Sequence, residues 1–351
     1  CVTTCVSLSA VAAPKQMGMR VDGSFDREAM KAERKAYHDW LVSERVSAAR
    51  GNGLLVQASA DELSAVDDAP TQSPELVGFS QQVDAGVSFK NIKLSRLNGR
   101  AHRLDIGALE ATADGGYVYS TEISSPGATG LKVQFAGFNM PTGAAMFLYT
   151  EEGQVFGPYS GRGPLGNGNF DSHTLAGDTI TLQVRQTGPA SERNMRDTRF
   201  RVVGLGHIRP RFMAGECGYN ADCVVNNACQ SDNAVSDAEK AVAHMLYRSG
   251  GGYYICSGGL IADNDESNSL PLFLTANHCI SKGGEASSLE NFFQFASTGC
   301  GDTSLCTASY DSLRASFPRT LGASIVSKGR AQDYTLLRLN DPAPGGSAFL
   351  G

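Results

Sequence analysis

The string LPLFLTANHC, Leu270 to Cys279, runs an apolar segment into a histidine that a cysteine follows at once. Imidazole is the side chain best suited to take and return a proton near neutral pH. An acid stands where such a base needs one: DYTLLRLN, Asp333 to Asn340, heads a second apolar strand 55 positions after His278. A carboxylate beneath an imidazole accepts the Nδ1–H, fixes the tautomer and stabilises the imidazolium. A third string, CSGGLIA at Cys256–Ala262, brings a cysteine 23 positions before Cys279. A disulfide between Cys256 and Cys279 would pin the backbone beside His278, and a loop of that size is worth about 3 kcal/mol. The remaining histidines, His38, His102, His173, His207 and His244, are isolated and read as surface or packing residues. No His-rich or carboxylate cluster points to a metal, and no cofactor is expected.

These strings need elements to hold them. The chain has 351 residues, 41% hydrophobic, enough for two or more domains with separate cores. With 40 glycines and 19% charged residues, the composition fits strands and turns better than helical bundles. A net charge of −6 argues against a nucleic-acid partner, which needs basic surface. No apolar run reaches the roughly 20 residues that span a bilayer.

Ser24 to Ala49 reads as a helix, with Met30, Tyr37 and Leu41 on one apolar stripe, and most simply a solvated one. Residues 54–78 are mixed, acidic and contain Pro70 and Pro74, which reads as a linker. From 79 to 208 the period changes to two: in GLKVQFAGF, Leu131, Val133 and Phe135 alternate with Lys132 and Gln134, and in GDTITLQVR, Ile180, Leu182 and Val184 alternate with Thr181, Gln183 and Arg185. Further short strands at Val87–Leu94, Tyr117–Ile123, Ala145–Tyr149 and Phe200–Leu205, separated by glycine and proline turns, predict an antiparallel sandwich. Beyond Met213, Ala238–Met245 has local helical propensity, whereas Leu272–Leu274 and Tyr334–Leu339 read as strands.

Seven of the nine cysteines, Cys217, Cys223, Cys229, Cys256, Cys279, Cys300 and Cys306, crowd the last two-fifths of the chain. That crowding reads as a disulfide-stapled exported domain; the paired short spacings of zinc sites are absent. The chain starts without Met, and CVTTCVSLSAVAAP, which contains Ala10-Val11-Ala12, reads as the rear half of an export signal.

Together, CSGGLIA, LFLTANHC and DYTLLRL resemble the first half of a chymotrypsin-fold serine protease. CVVNNAC (Cys223–Cys229) and FFQFASTGC (Phe292–Cys300) narrow the resemblance to the bacterial lysyl endopeptidase family of trypsin-like enzymes. The match runs from Cys217 to Gly351, with Asn277 where the common form has alanine, a change expected to be tolerated because strand-end neighbours point away from the imidazole. The resemblance implies a mainly β fold: a β-sandwich-like pro-region followed by the first β-barrel of a double-barrel protease. It implies His278 as general base, Asp333 as its partner, and a nucleophilic serine beyond this chain, since Ser347, 14 residues after Asp333, comes before a second barrel can be built. It also implies the disulfides Cys256–Cys279 and Cys229–Cys300, with Cys223 reaching a cysteine beyond this chain, and makes 238–248 partly strand; Cys217 and Cys306 are left over, and the resemblance does not establish that they pair.

The organisation read this way is a signal remnant (1–20), a helical pro-segment and linker (21–78), a β-sandwich pro-region or accessory domain (79–212) and an incomplete protease domain (213–351). The chain is expected to be a truncated precursor of a secreted, extracellular or periplasmic, serine endopeptidase, inactive in itself and monomeric. Its substrates are proteins or peptides cut after Lys or Arg, and its activation cut falls near Arg211–Gly215. The alternative is a pseudoprotease, with the sandwich as an adhesion or carbohydrate-binding module. A Gly-x-Ser-Gly turn downstream would separate the two.

Overall fold

A computed structural model describes residues 20–22, 25–70, 72–97, 100–209, 227–229, 238–263, 270–296, 299–300 and 317–350. The chain is mainly β, as its period-two strings predict. Helix α1 spans Arg27–Glu44, and the Asp26 carboxylate accepts the Ala29 N–H at 2.9 Å, satisfying one of the free N-terminal donors. Beyond it only a 3-10 turn, Ser47–Ala49, continues towards the expected end. A second helix, α2 (Ala60–Asp67), stands inside the stretch read as linker. Its signal was present: Ser59 and Glu62 cap one another reciprocally.

Two antiparallel sheets follow. Their main strands are β1 (Glu75–Ser88), β2 (Tyr117–Ser124), β3 (Gly130–Asn139), β4 (Ala144–Tyr149), β5 (Thr179–Gln186) and β6 (Arg199–Ile208). One sheet carries β2–β5–β4 and the other β3–β6–β1. Tyr119, Ile123, Leu182 and Leu148 of the first meet Leu131, Val133, Phe135 and Leu205 of the second in one core. The polar halves of these strands are covered as well. On β5, Gln183 and Arg185 lie buried beneath α1, where the Gln183 amide donates to the Leu41 carbonyl at 3.2 Å and Arg185 pairs with Glu44. Leu41 itself packs with Phe147, Tyr149 and Val155, so α1 is a docked cover, not the solvated helix expected from its charge.

The third body is a curled sheet of β7 (Val242–Ser249), β8 (Gly252–Ile261), β9 (Leu272–Thr275), β10 (Glu290–Phe293), β11 (Ala323–Gly329) and β12 (Tyr334–Leu339). Its antiparallel order is β10–β7–β8–β9–β12–β11. Met245, Tyr247, Leu260, Phe273, Phe293, Leu337 and Leu339 fill its concave side. Val242–Ser249 is strand despite local helical propensity, because β8 and β10 pair with it on both sides. The hairpin to β8 turns at Gly250, whose φ of +59° suits glycine.

The sandwich and the curled sheet are joined directly. Strand β1 lies between β6 and β8, pairing antiparallel with both. Across the same junction, Lys132 of β3 and Glu290 of β10 form a fully buried ion pair at 2.9 Å. The Asp171 carboxylate also accepts from the Arg248 guanidinium at 3.0 and 3.1 Å. Among the described residues no helix is long and apolar enough to cross a membrane.

Candidate active site

The pairing of β9 with β12 builds the site. Thr275 lies opposite Thr335, so Asp333, two residues before Thr335, comes beside the turn that carries His278. That turn closes tightly, with the N–H groups of Cys279 and Ile280 both donating to the Ala276 carbonyl at 3.2 Å. Asp333 has a positive φ of 50°, a left-handed conformation that Asp adopts more readily than most side chains.

His278 Nδ1 and Asp333 Oδ2 are 2.6 Å apart, and Asp333 Oδ1 accepts the backbone N–H of His278 at 2.9 Å. One carboxylate therefore grips both the ring and the main chain of a single residue. The hydrogen bond from the ring, followed by that from the backbone N–H, holds the Asp333 carboxyl below the usual carboxylate range. An ionised carboxylate only accepts, so the shared proton sits on Nδ1 and the lone pair of Nε2 faces outward. Both side chains are about half exposed, 45% for His278 and 50% for Asp333.

Two supports flank this pair. A disulfide joins Cys256 of β8 to Cys279, fastening the residue after His278 to the neighbouring strand. Asn277 is buried and points away from the imidazole, its amide donating to the Thr335 hydroxyl at 3.0 Å. Thr335 in turn donates to the Ile280 carbonyl at 2.7 Å, so the turn is tied to β12 on both sides of His278. This tie was missed in the sequence because Thr335 looks like an ordinary polar strand residue. One ligand atom each of Cys256, His278 and Cys279 lies within 4.8 Å of the other two, but both sulfurs are in the disulfide and offer no thiolate.

A second disulfide joins Cys229 to Cys300. Cys217, Cys223, Cys306 and Arg211 lie outside the described residues. Ser347 is fully buried. Elsewhere, His173 and His207 pack: His173 Nδ1 bonds the Tyr159 hydroxyl and His207 Nδ1 bonds the Ser125 hydroxyl, both at 2.8 Å, while His102 is exposed. Burial lowers His173 to about 3 and His207 to about 4, which keeps both neutral at physiological pH.

Replacing Cys256 and Cys279 together by serine is expected to cost about 3 kcal/mol of stability. Urea unfolding of the oxidised parent and the double variant measures it; equal midpoints would show that the staple adds nothing.

Residues 213–351 match the family described as lysyl endopeptidase, C-terminal domain. The lysyl endopeptidase of Pseudomonas aeruginosa is 28% identical over 264 residues, covering 71% of this chain and 55% of that protein. Secreted RxLR effector protein 73 of Plasmopara viticola is 26% identical over 191 residues, covering 51% of this chain and 44% of that protein. The chain thus spans about half the length of the curated relatives it matches. The part of the chain that matches the lysyl endopeptidase C-terminal domain, residues 213–351, is the part that carries His278, Asp333 and both described disulfides.

Proposed function

We propose that the complete protein is a secreted serine endopeptidase that hydrolyses peptide bonds after lysine or arginine. The observation that carries this reading is the double grip of Asp333 on His278, with Nε2 left facing outward. In the reaction, His278 Nε2 takes the proton of a serine hydroxyl supplied by residues after Gly351 as that oxygen attacks the scissile carbonyl. The same nitrogen then returns the proton to the leaving amine, while Asp333 keeps the ring in the productive tautomer and stabilises the imidazolium. The lysine preference rests on the name of the Pseudomonas relative, and arginine is kept as the other basic residue such a pocket could take. Disulfides Cys256–Cys279 and Cys229–Cys300 suit an oxidising compartment outside the cytoplasm. Residues 21–212 are then the pro-region of a zymogen, and 213–351 the first half of the protease domain.

The test is to purify the mature form of the complete gene product, freed of residues 21–212, and assay lysyl, arginyl and alanyl peptide substrates. Cleavage after lysine or arginine is expected, and Asp333→Asn is expected to lower kcat by about 10⁴-fold with the fold retained. A folded, disulfide-bonded product that cleaves none of the three would overturn the protease reading in favour of a binding role for the sandwich.

A further inference from the structure

The outward nitrogen of His278 already has an occupant. Ser73, from the segment just before β1, places its hydroxyl 3.3 Å from His278 Nε2 and 3.9 Å from the sulfur of Cys256. Two hundred and five positions separate Ser73 from His278, and β1 is what brings them together. Glu75, Leu76, Gly78 and Phe79 pair with Ile255, Tyr254, Tyr253 and Gly252 of β8, which leads directly into Cys256. The Ser80 N–H extends the pairing by donating to the Gly251 carbonyl at 2.8 Å.

Strand β1 is also held from its other side. Val77 is fully buried, and the backbone at Gly78 lies so close to β6 that an added Cβ would come within 2.6 Å of the His207 carbonyl oxygen. Ser73 is thus placed by a strand clamped between two neighbours. With its proton on Nδ1, the imidazole presents one lone pair at Nε2, which accepts one hydroxyl at a time. A serine arriving from the second half of a protease domain needs that lone pair.

Resting on the proposed protease function, we infer that Ser73 is a blocking contact: it fills the nucleophile's hydrogen-bonding position on His278, and β1 holds it there through its pairing with β8. The triad of the complete protein then forms only after residues 72–79 have peeled from β8. The contact is suited to release, since 3.3 Å is at the long end for a hydroxyl bond and Ser73 itself is exposed.

The first experiment uses the 351-residue chain and needs no catalytic serine, so it stands or falls apart from the protease reading. Diethyl pyrocarbonate modifies accessible imidazole nitrogen, and peptide mass spectrometry reads His278 against the exposed His102 in the same sample. Ser73→Ala, a change at an exposed side chain, is expected to raise the ratio of the His278 rate to the His102 rate about fivefold, the worth of one hydrogen bond. An unchanged ratio overturns the block. The second experiment treats the complete gene product with a fluorophosphonate. Faster labelling of a serine after Gly351 in Ser73→Ala than in the parent is expected. Label on Ser73 of the parent would overturn the block, because Ser73 would then be a nucleophile itself.

Discussion

Replacing His278 by alanine in the complete protein is expected to lower kcat on lysyl or arginyl peptides by about 10⁶-fold, the scale on which a serine-protease triad fails when its base is removed. Among the described residues no neighbour is positioned to compensate. Asp333 is committed to the Nδ1 side and to the backbone of residue 278, and the nearby sulfurs are in a disulfide. The substitution takes away a half-exposed ring and leaves the Cys256–Cys279 staple and the Asn277–Thr335 tie in place. Folding should therefore survive, and a far-UV spectrum with an unchanged melting temperature separates lost chemistry from lost structure. A fall of less than tenfold would take the general-base role away from His278.

A second large effect is expected far from that site. Glu290 is fully buried, and its carboxylate accepts from Lys132 at 2.9 Å, Arg319 at 3.0 Å, and the backbone and hydroxyl of Thr174 at 3.0 and 2.6 Å. Glu290→Gln keeps the shape and removes the charge, leaving two buried cations to face each other without an anion. Breaking a buried pair in this way costs about 3–5 kcal/mol. Burial by itself raises the Glu290 carboxyl, but Lys132 and then Arg319 outweigh it and bring it to about 2. Its folded value therefore lies below the unfolded value of about 4.3. The stabilisation is complete above that unfolded value and is lost as pH falls towards 2. Urea unfolding at pH 7 and pH 3 should show a parent that weakens on acidification and a Glu290→Gln variant, already weak, with a flatter response. Parallel pH profiles would mean that Glu290 is not the titrating group.

The site itself was largely legible in the sequence, since the histidine, the acid and the two cysteines sit in distinctive strings at the ends of apolar strands. Tyr334–Leu339 is a strand to the residue, and Tyr117–Ile123, Ala145–Tyr149 and Phe200–Leu205 lie within strands, but the expected strand Val87–Leu94 does not form: β1 starts at Glu75, inside the stretch read as linker, and ends at Ser88, and Leu94 opens a 3-10 turn. The covering of the polar faces was not legible. Lys132 and Arg185 alternate with apolar neighbours as surface residues would, yet Glu290 and Glu44 meet them from segments more than a hundred positions away. Alternation reports which residues share a face, and carries no information about what lies over that face. Ser73 is hidden for the same reason, since its partner is fixed by the β1–β8 pairing.

That pairing also bears on the order in which the chain is made. Ribosomal synthesis delivers β1 to β6 before any residue of β8, so the sandwich has all its strands while Glu75–Phe79 still lacks a neighbour on one side. An open strand edge of this kind invites pairing with other chains. In this molecule it meets Gly252–Ile255 of its own chain, and the nascent sandwich becomes the template on which the later sheet finds its register. Joining strands so far apart in sequence is slow through loop closure. A preformed edge shortens that search to a docking step.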